Sequence, residues 1–149
     1  MEPFLKDILA NQPLIATFVA WFLAQTLKII INIIRGHRFD FRWFISIGGF
    51  PSSHVAGLSA LATSLGIKFG FNSGLFAISV AITALVIFDA RVIRRAAGRQ
   101  AEVLNKIIED LYKKRELKLV RLKELLGHTS LEVFFGIVLG IIVGILVSY

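Results

Sequence analysis

The chain has 149 residues, is 56% hydrophobic with 13 phenylalanines, and carries a net charge of +7. One soluble core of this length could not bury so much apolar surface, so a single membrane domain over 1–149 is expected. Cysteine is absent, which excludes a disulfide framework, a thiolate metal site and a cysteine nucleophile.

The start, Met1-Glu2-Pro3-Phe4-Leu5-Lys6-Asp7, lacks the basic opening of a secretory signal, and no small-residue cleavage site follows. The first apolar stretch, about 13–34, is therefore read as a retained span, interrupted by Gln25, Thr26, Lys28 and Asn32. A lysine at that depth costs about 2.5–3.5 kcal/mol unless it is paired or reaches water. Arg35 follows nearly two helical turns later, so both side chains project from one face. Snorkelling explains Arg35 easily and Lys28 less well, because Lys28 lies deeper.

A second span, about 53–71, is rich in Gly, Ala and Ser and opens on Phe50-Pro51-Ser52-Ser53-His54. Proline before the helix, hydroxyls at its cap and free backbone N–H groups make an anion cradle. The plainer reading is an ordinary serine cap with His54 at the interface. The third span, about 74–93, is almost purely apolar as far as Asp89. Asp89 is expected to pair structurally with an arginine one turn on, near Arg94, or with one across the bundle.

From 94 to 128 the chain turns basic and amphipathic. Val103, Leu104, Ile107, Ile108 and Leu111 share one helical stripe, and Leu119, Leu122, Leu125 and Leu126 extend a similar one. Such a segment lies on the interface against anionic headgroups, or packs on the protein itself. The fourth span, about 131–149, follows Leu126-Gly127-His128-Thr129-Ser130-Leu131-Glu132. Thr129-x-x-Glu132 fits a capping box. His128 and Glu132 also stand one turn apart, where the acid can hold one imidazole N–H and leave the other nitrogen basic. Gly136, Gly140 and Gly144 form a small-xxx-small run, suited either to packing within the chain or to dimerisation.

Charge sets the expected topology. Three arginines (Arg35, Arg38, Arg42) lie between the first two spans, and eleven Lys and Arg lie between the last two, from Arg91 to Lys123. With four spans both connections fall on one side, which the positive-inside tendency makes cytoplasmic. The expected fold is all-α: a polytopic membrane helix bundle of about four transmembrane helices with a basic amphipathic cytoplasmic helical segment. Its polar face would sit on the cytoplasmic edge of the cell membrane. A pI near 10.2 also suits nucleic acid, but the basic residues border the spans without interleaved exposed aromatics. Phospholipid headgroups are the better anion, and no nucleic acid partner is expected.

Lysine and arginine would neutralise a phosphate, while helix-start N–H groups and serine hydroxyls would hold its oxygens. One histidine could attack phosphorus while the other protonates the leaving oxygen. Metal ligation fits poorly, because only His128 and Glu132 have ligand spacing and two groups do not make a site.

Lys28-x6-Arg35, Pro51-Ser52-Ser53-His54 and His128-x3-Glu132 together resemble the three-part signature of the type 2 phosphatidic acid phosphatase and vanadium haloperoxidase superfamily. That signature reads Lys-x6-Arg-Pro, Pro-Ser-Gly-His and Ser-Arg-x5-His-x3-Asp. The stretch from Gly49 through Gly140 resembles its divergent branch of small membrane proteins, so the likeness covers nearly the whole chain. The resemblance implies a phosphatase that needs no metal or cofactor, acting on a lipid phosphate or pyrophosphate through a phosphohistidine. Carried over by position, Lys28, Arg35, Ser52 and the Ser53 amide would bind phosphate. His54 would be the general acid, His128 the nucleophile and Glu132 its orienter.

Gly36 stands where the family has proline, Ser53 where it has glycine, and Glu132 where it has aspartate. Leu122 occupies the place of the third motif's arginine, so the missing charge would come from Arg121, Lys123, Arg94 or Arg95. The family builds its site from six helices rather than four, and a homodimer is one way to shield so small a site. Phosphatidate, phosphatidylglycerophosphate and polyprenyl phosphates would all present suitable headgroups. The alternative is a non-catalytic membrane protein of phosphatase-like fold that binds anionic lipid or a protein partner through 91–128.

Overall fold

A computed structural model of the protein describes residues 2–36, 49–112 and 127–149. Arg121, Lys123, the second leucine stripe and the first connection's His37, Arg38 and Arg42 lie outside the described residues. All regular secondary structure among the described residues is helical, as the composition predicts. A short helix α1 (Glu2–Leu9) leads into α2 (Gln12–Ile34), and α3 (Ser53–Phe69) and α4 (Gly74–Phe88) follow. A π-helical turn (Asp89–Ile93) joins α4 to α5 (Arg94–Tyr112), and α6 (Ser130–Ser148) completes the order.

Local chemistry sets where the helices begin. The Asn11 side chain accepts from the Leu14 N–H at 3.2 Å ahead of Pro13, and Ser73 does the same for Phe76 at 3.2 Å. Thr129 and Glu132 form the expected capping box at the start of α6.

Among the described residues, three helices are long and apolar enough to cross a membrane: α2, the continuous helix Gly74–Glu109, and α6. The expected second span is the exception, because α3 has only 17 residues. Its position explains its composition. α3 packs against α2, α4 and α6, so its Ala, Ser and Gly face protein rather than lipid. Ala16, Ala20 and Ala24 of α2, Ala56 and Ala60 of α3, and Val143 of α6 form the buried cluster. Large side chains point outward instead, such as Phe18, Phe22, Leu85 and Phe134.

The glycine run of α6 is spent inside the chain. A Cβ at Gly136 would fall 2.8 Å from the Ser52 carbonyl oxygen, and one at Gly144 would fall 2.7 Å from Thr63 Cβ. At Gly140 it would meet the Ala56 carbonyl oxygen. α6 therefore lies in close parallel contact with α3, and their lower ends are tied by a 2.7 Å hydrogen bond from Ser148 to Ser64. A parallel pair puts both helix starts at the same edge. That edge is where the polar motifs meet.

Candidate active site

The α3 and α6 starts are joined directly, since the Ser52 N–H donates to the Glu132 carbonyl oxygen at 3.0 Å. Each start presents free N–H groups and the positive end of a helix dipole. Ser52 occupies the cap position of α3, yet its hydroxyl makes no capping hydrogen bond. Its Oγ is fully buried and has no hydrogen-bond partner among the described residues. An orphaned buried hydroxyl costs free energy and calls for an explanation, and an anion at the helix start is a natural one. Ser53 beside it is also buried.

His128 is held from two sides. Its backbone N–H donates to the Ala90 carbonyl in the π-helical turn at 2.9 Å. Its ring Nδ1 lies 2.9 Å from Glu132 Oε2, and its side chain is only 5% exposed. The carboxylate accepts, so Nδ1 carries a proton, and in the neutral ring Nε2 is the nitrogen with the lone pair. The same Glu132 oxygen accepts from the Thr129 N–H at 3.0 Å. Cap and dyad are therefore one arrangement rather than competing ones.

Two glycines permit these approaches. Gly127 has φ +107°, and a Cβ there would fall 2.9 Å from Arg95 Cγ and 3.0 Å from the Ala90 oxygen. Gly49 has φ +93°, and its Cβ would fall 3.1 Å from Lys28 Cδ. The lysine stem thus runs along the Gly49 backbone, with Lys28 itself 3% exposed. Each glycine adjoins a histidine-bearing motif, but the residue pattern alone does not show which backbone or side chain it must clear.

Electrostatic reach defines the rest of the cluster. Lys28, Arg94 and His128 lie within Coulombic range of His54, and Glu132 within Coulombic range of Lys28. Arg94 opens α5 directly after the π-helical turn, and its Nε bonds Asp89 Oδ2 at 2.7 Å. A π turn brings residues five apart onto one face, so Asp89 meets Arg94 rather than Ile93, and π turns often mark functional sites. The turn itself has no signal in Asp89-Ala90-Arg91-Val92-Ile93, whose residues suit an ordinary helix.

The structure thus gathers Lys28, Ser52, Ser53, His54, Asp89, Arg94, His128 and Glu132 at one edge. Arg35 sits at the same end of α2 but is exposed, and Arg95 lays its stem against Gly127 while remaining exposed. His54 is exposed too, which leaves it open to an incoming group. Among the described residues no group of three or more His, Asp or Glu could hold a metal ion.

A cleft of about 760 Å³ lies away from these polar groups, between α3, α4 and α6, with Thr63, Val80, Thr83 and Ile141 among its walls. Its threonine hydroxyls are already bonded, Thr63 to the Ser59 carbonyl at 2.8 Å and Thr83 to the Ser79 carbonyl at 2.7 Å. The walls are left apolar and suit hydrocarbon rather than chemistry.

Comparison with known proteins agrees with the motif reading. The model of the Divergent PAP2 family matches residues 9–143. The chain belongs to that family. It is also 37% identical over 154 residues to "Uncharacterized membrane protein YuiD" of Bacillus subtilis (strain 168), covering 96% of this chain and 98% of that protein. No solved structure matches it. Membership of the Divergent PAP2 family, with three helices fit to cross a bilayer, makes this a membrane protein.

Proposed function

We propose that this family member is a metal-independent membrane phosphatase that hydrolyses a lipid phosphate or pyrophosphate. The observation that carries the reading is the buried His128–Glu132 pair, whose free Nε2 shares one edge with Lys28, Arg94 and the unpartnered Ser52 hydroxyl. His128 Nε2 attacks phosphorus, and the bond from phosphorus to the lipid oxygen breaks. His54 gives that oxygen its proton. Water then attacks the phosphohistidine, passes a proton to His54 and restores free His128 with release of phosphate. Glu132 holds the ring and steadies the imidazolium as it forms. Lys28 and Arg94 balance the charge on the transferring group, Arg94 taking the place of the arginine that Leu122 displaces.

A lipid substrate follows from position. The site lies at the end of three apolar helices, and the apolar cleft among α3, α4 and α6 can take hydrocarbon. We place α3 across the bilayer as a fourth span, sheltered by its neighbours. The polar edge then faces the cytoplasm, by the charge of its two connections. Purified protein should release phosphate from a lipid phosphate without added Mg²⁺ and be inhibited by vanadate. His128→Ala should lower the rate by about a thousandfold or more. Equal release by wild type and variant would overturn the mechanism.

A further inference from the structure

Arg91, Arg95 and Arg99 recur every four residues along the π-helical turn and α5. All three are exposed, and among the described residues none has a hydrogen-bond or ion-pair partner. Two nearby acids are already engaged, Asp89 by Arg94 at 2.7 Å and Glu102 by Lys106 at 3.0 Å. Among the described residues, no acid balances the three guanidinium groups of this stripe.

Directly below, the same surface becomes apolar. Ile87, Phe88 and Val92 line one depression of about 610 Å³ together with the three arginines. Phe88 is 55% exposed and Val92 47%. From Phe88 to Arg99 the rise is about 16 Å along the helix. A free anion would use the guanidinium half alone, whereas a lipid would use both halves. α5 supports the same placement, because Val103, Leu104 and Ile107 are exposed and suit an interfacial helix.

We infer that this depression is a binding site for an anionic glycerophospholipid, separate from the His128 centre. The headgroup phosphate lies on Arg91, Arg95 and Arg99, which can grip it with paired N–H donors. The acyl chains lie on Ile87, Phe88 and Val92. Basic pockets beside membrane helices bind anionic headgroups in this way. Charge complementarity selects the lipid, and hydrolysis plays no part in the inference. Arg95 also touches Gly127, so the bound lipid would stand beside the His128 segment.

The absence of cysteine gives a direct test on the full chain in nanodiscs. A fluorophore on Val92→Cys is quenched by brominated phosphatidylglycerol or by brominated phosphatidylcholine, each diluted into unlabelled phosphatidylcholine. Phe18→Cys on the lipid-facing side of α2 serves as reference, and Phe88→Cys replaces Val92→Cys if that variant fails to fold. The relative association constant should favour phosphatidylglycerol at Val92 and not at Phe18. The preference should fall about fivefold for each charge removed in Arg91→Gln and Arg99→Gln. Millimolar inorganic phosphate should leave it in place. Equal quenching by the two lipids, a preference that survives the double variant, or displacement by free phosphate would each overturn the proposal.

Discussion

Glu132 uses one carboxylate oxygen for two partners, the Thr129 N–H and the His128 ring, so capping the helix also fixes the tautomer of His128. Ser52 presents the opposite case, a buried cap hydroxyl with no hydrogen-bond partner among the described residues. Because no protein hydrogen bond is lost, Ser52→Ala should leave thermal stability within about 0.5 kcal/mol of wild type. Under the proposed function it should lower kcat/KM by about 10- to 150-fold, since a charge-assisted bond to phosphate is worth about 1.5–3 kcal/mol. Thermal melts and steady-state kinetics on the same preparation check both halves. The sequence shows the His128–Glu132 spacing and both serines plainly. It does not show that the Ser52 hydroxyl lacks a partner, because that depends on how closely α6 covers the cap. The nearness of Arg94 to His54 is legible only as one of four candidate cations, since the motif's own position holds Leu122.

At the scale of elements, the parallel contact of α3 and α6 decides whether Ser52 and Glu132 meet. Gly140→Ala would press a methyl group onto the Ala56 carbonyl and Ser59, and should destabilise the protein by about 1–3 kcal/mol. Gly74→Ala is the matched control, because nothing lies within 4 Å of its Cβ position and it should change stability little. Unfolding monitored by circular dichroism in detergent distinguishes the two. If Gly140→Ala were as neutral as Gly74→Ala, the glycine run would serve something other than this contact. The spacing of the three glycines is visible in the sequence, but their partner is not, because the same pattern serves dimers. α3 shows a similar limit. Its small residues mark a packed helix, while its 17-residue length leaves it short of the other spanning helices. The π-helical turn is the least legible element, as nothing in 89–93 breaks an ordinary helical pattern.

For the whole molecule, composition alone selects the membrane, and three motifs far apart in sequence select the family. The bundle then brings residues from α2, α3, the π-helical turn and α6 to one edge. Neither histidine motif would form a site alone: His54 is exposed at the start of α3, and His128 is buried at the start of α6. What joins them is the shared edge and the cations Lys28 and Arg94 within reach of His54. The proposed mechanism requires that His128 becomes phosphorylated. The most direct measurement is rapid quench of the protein with a lipid phosphate labelled in its phosphoryl group, followed by peptide mapping under alkaline conditions that preserve phosphohistidine. Label is expected on His128, chased by unlabelled substrate, absent from His128→Ala and accumulating in His54→Ala with a good leaving group. Phosphate release at the wild-type rate with no label on His128 would contradict it.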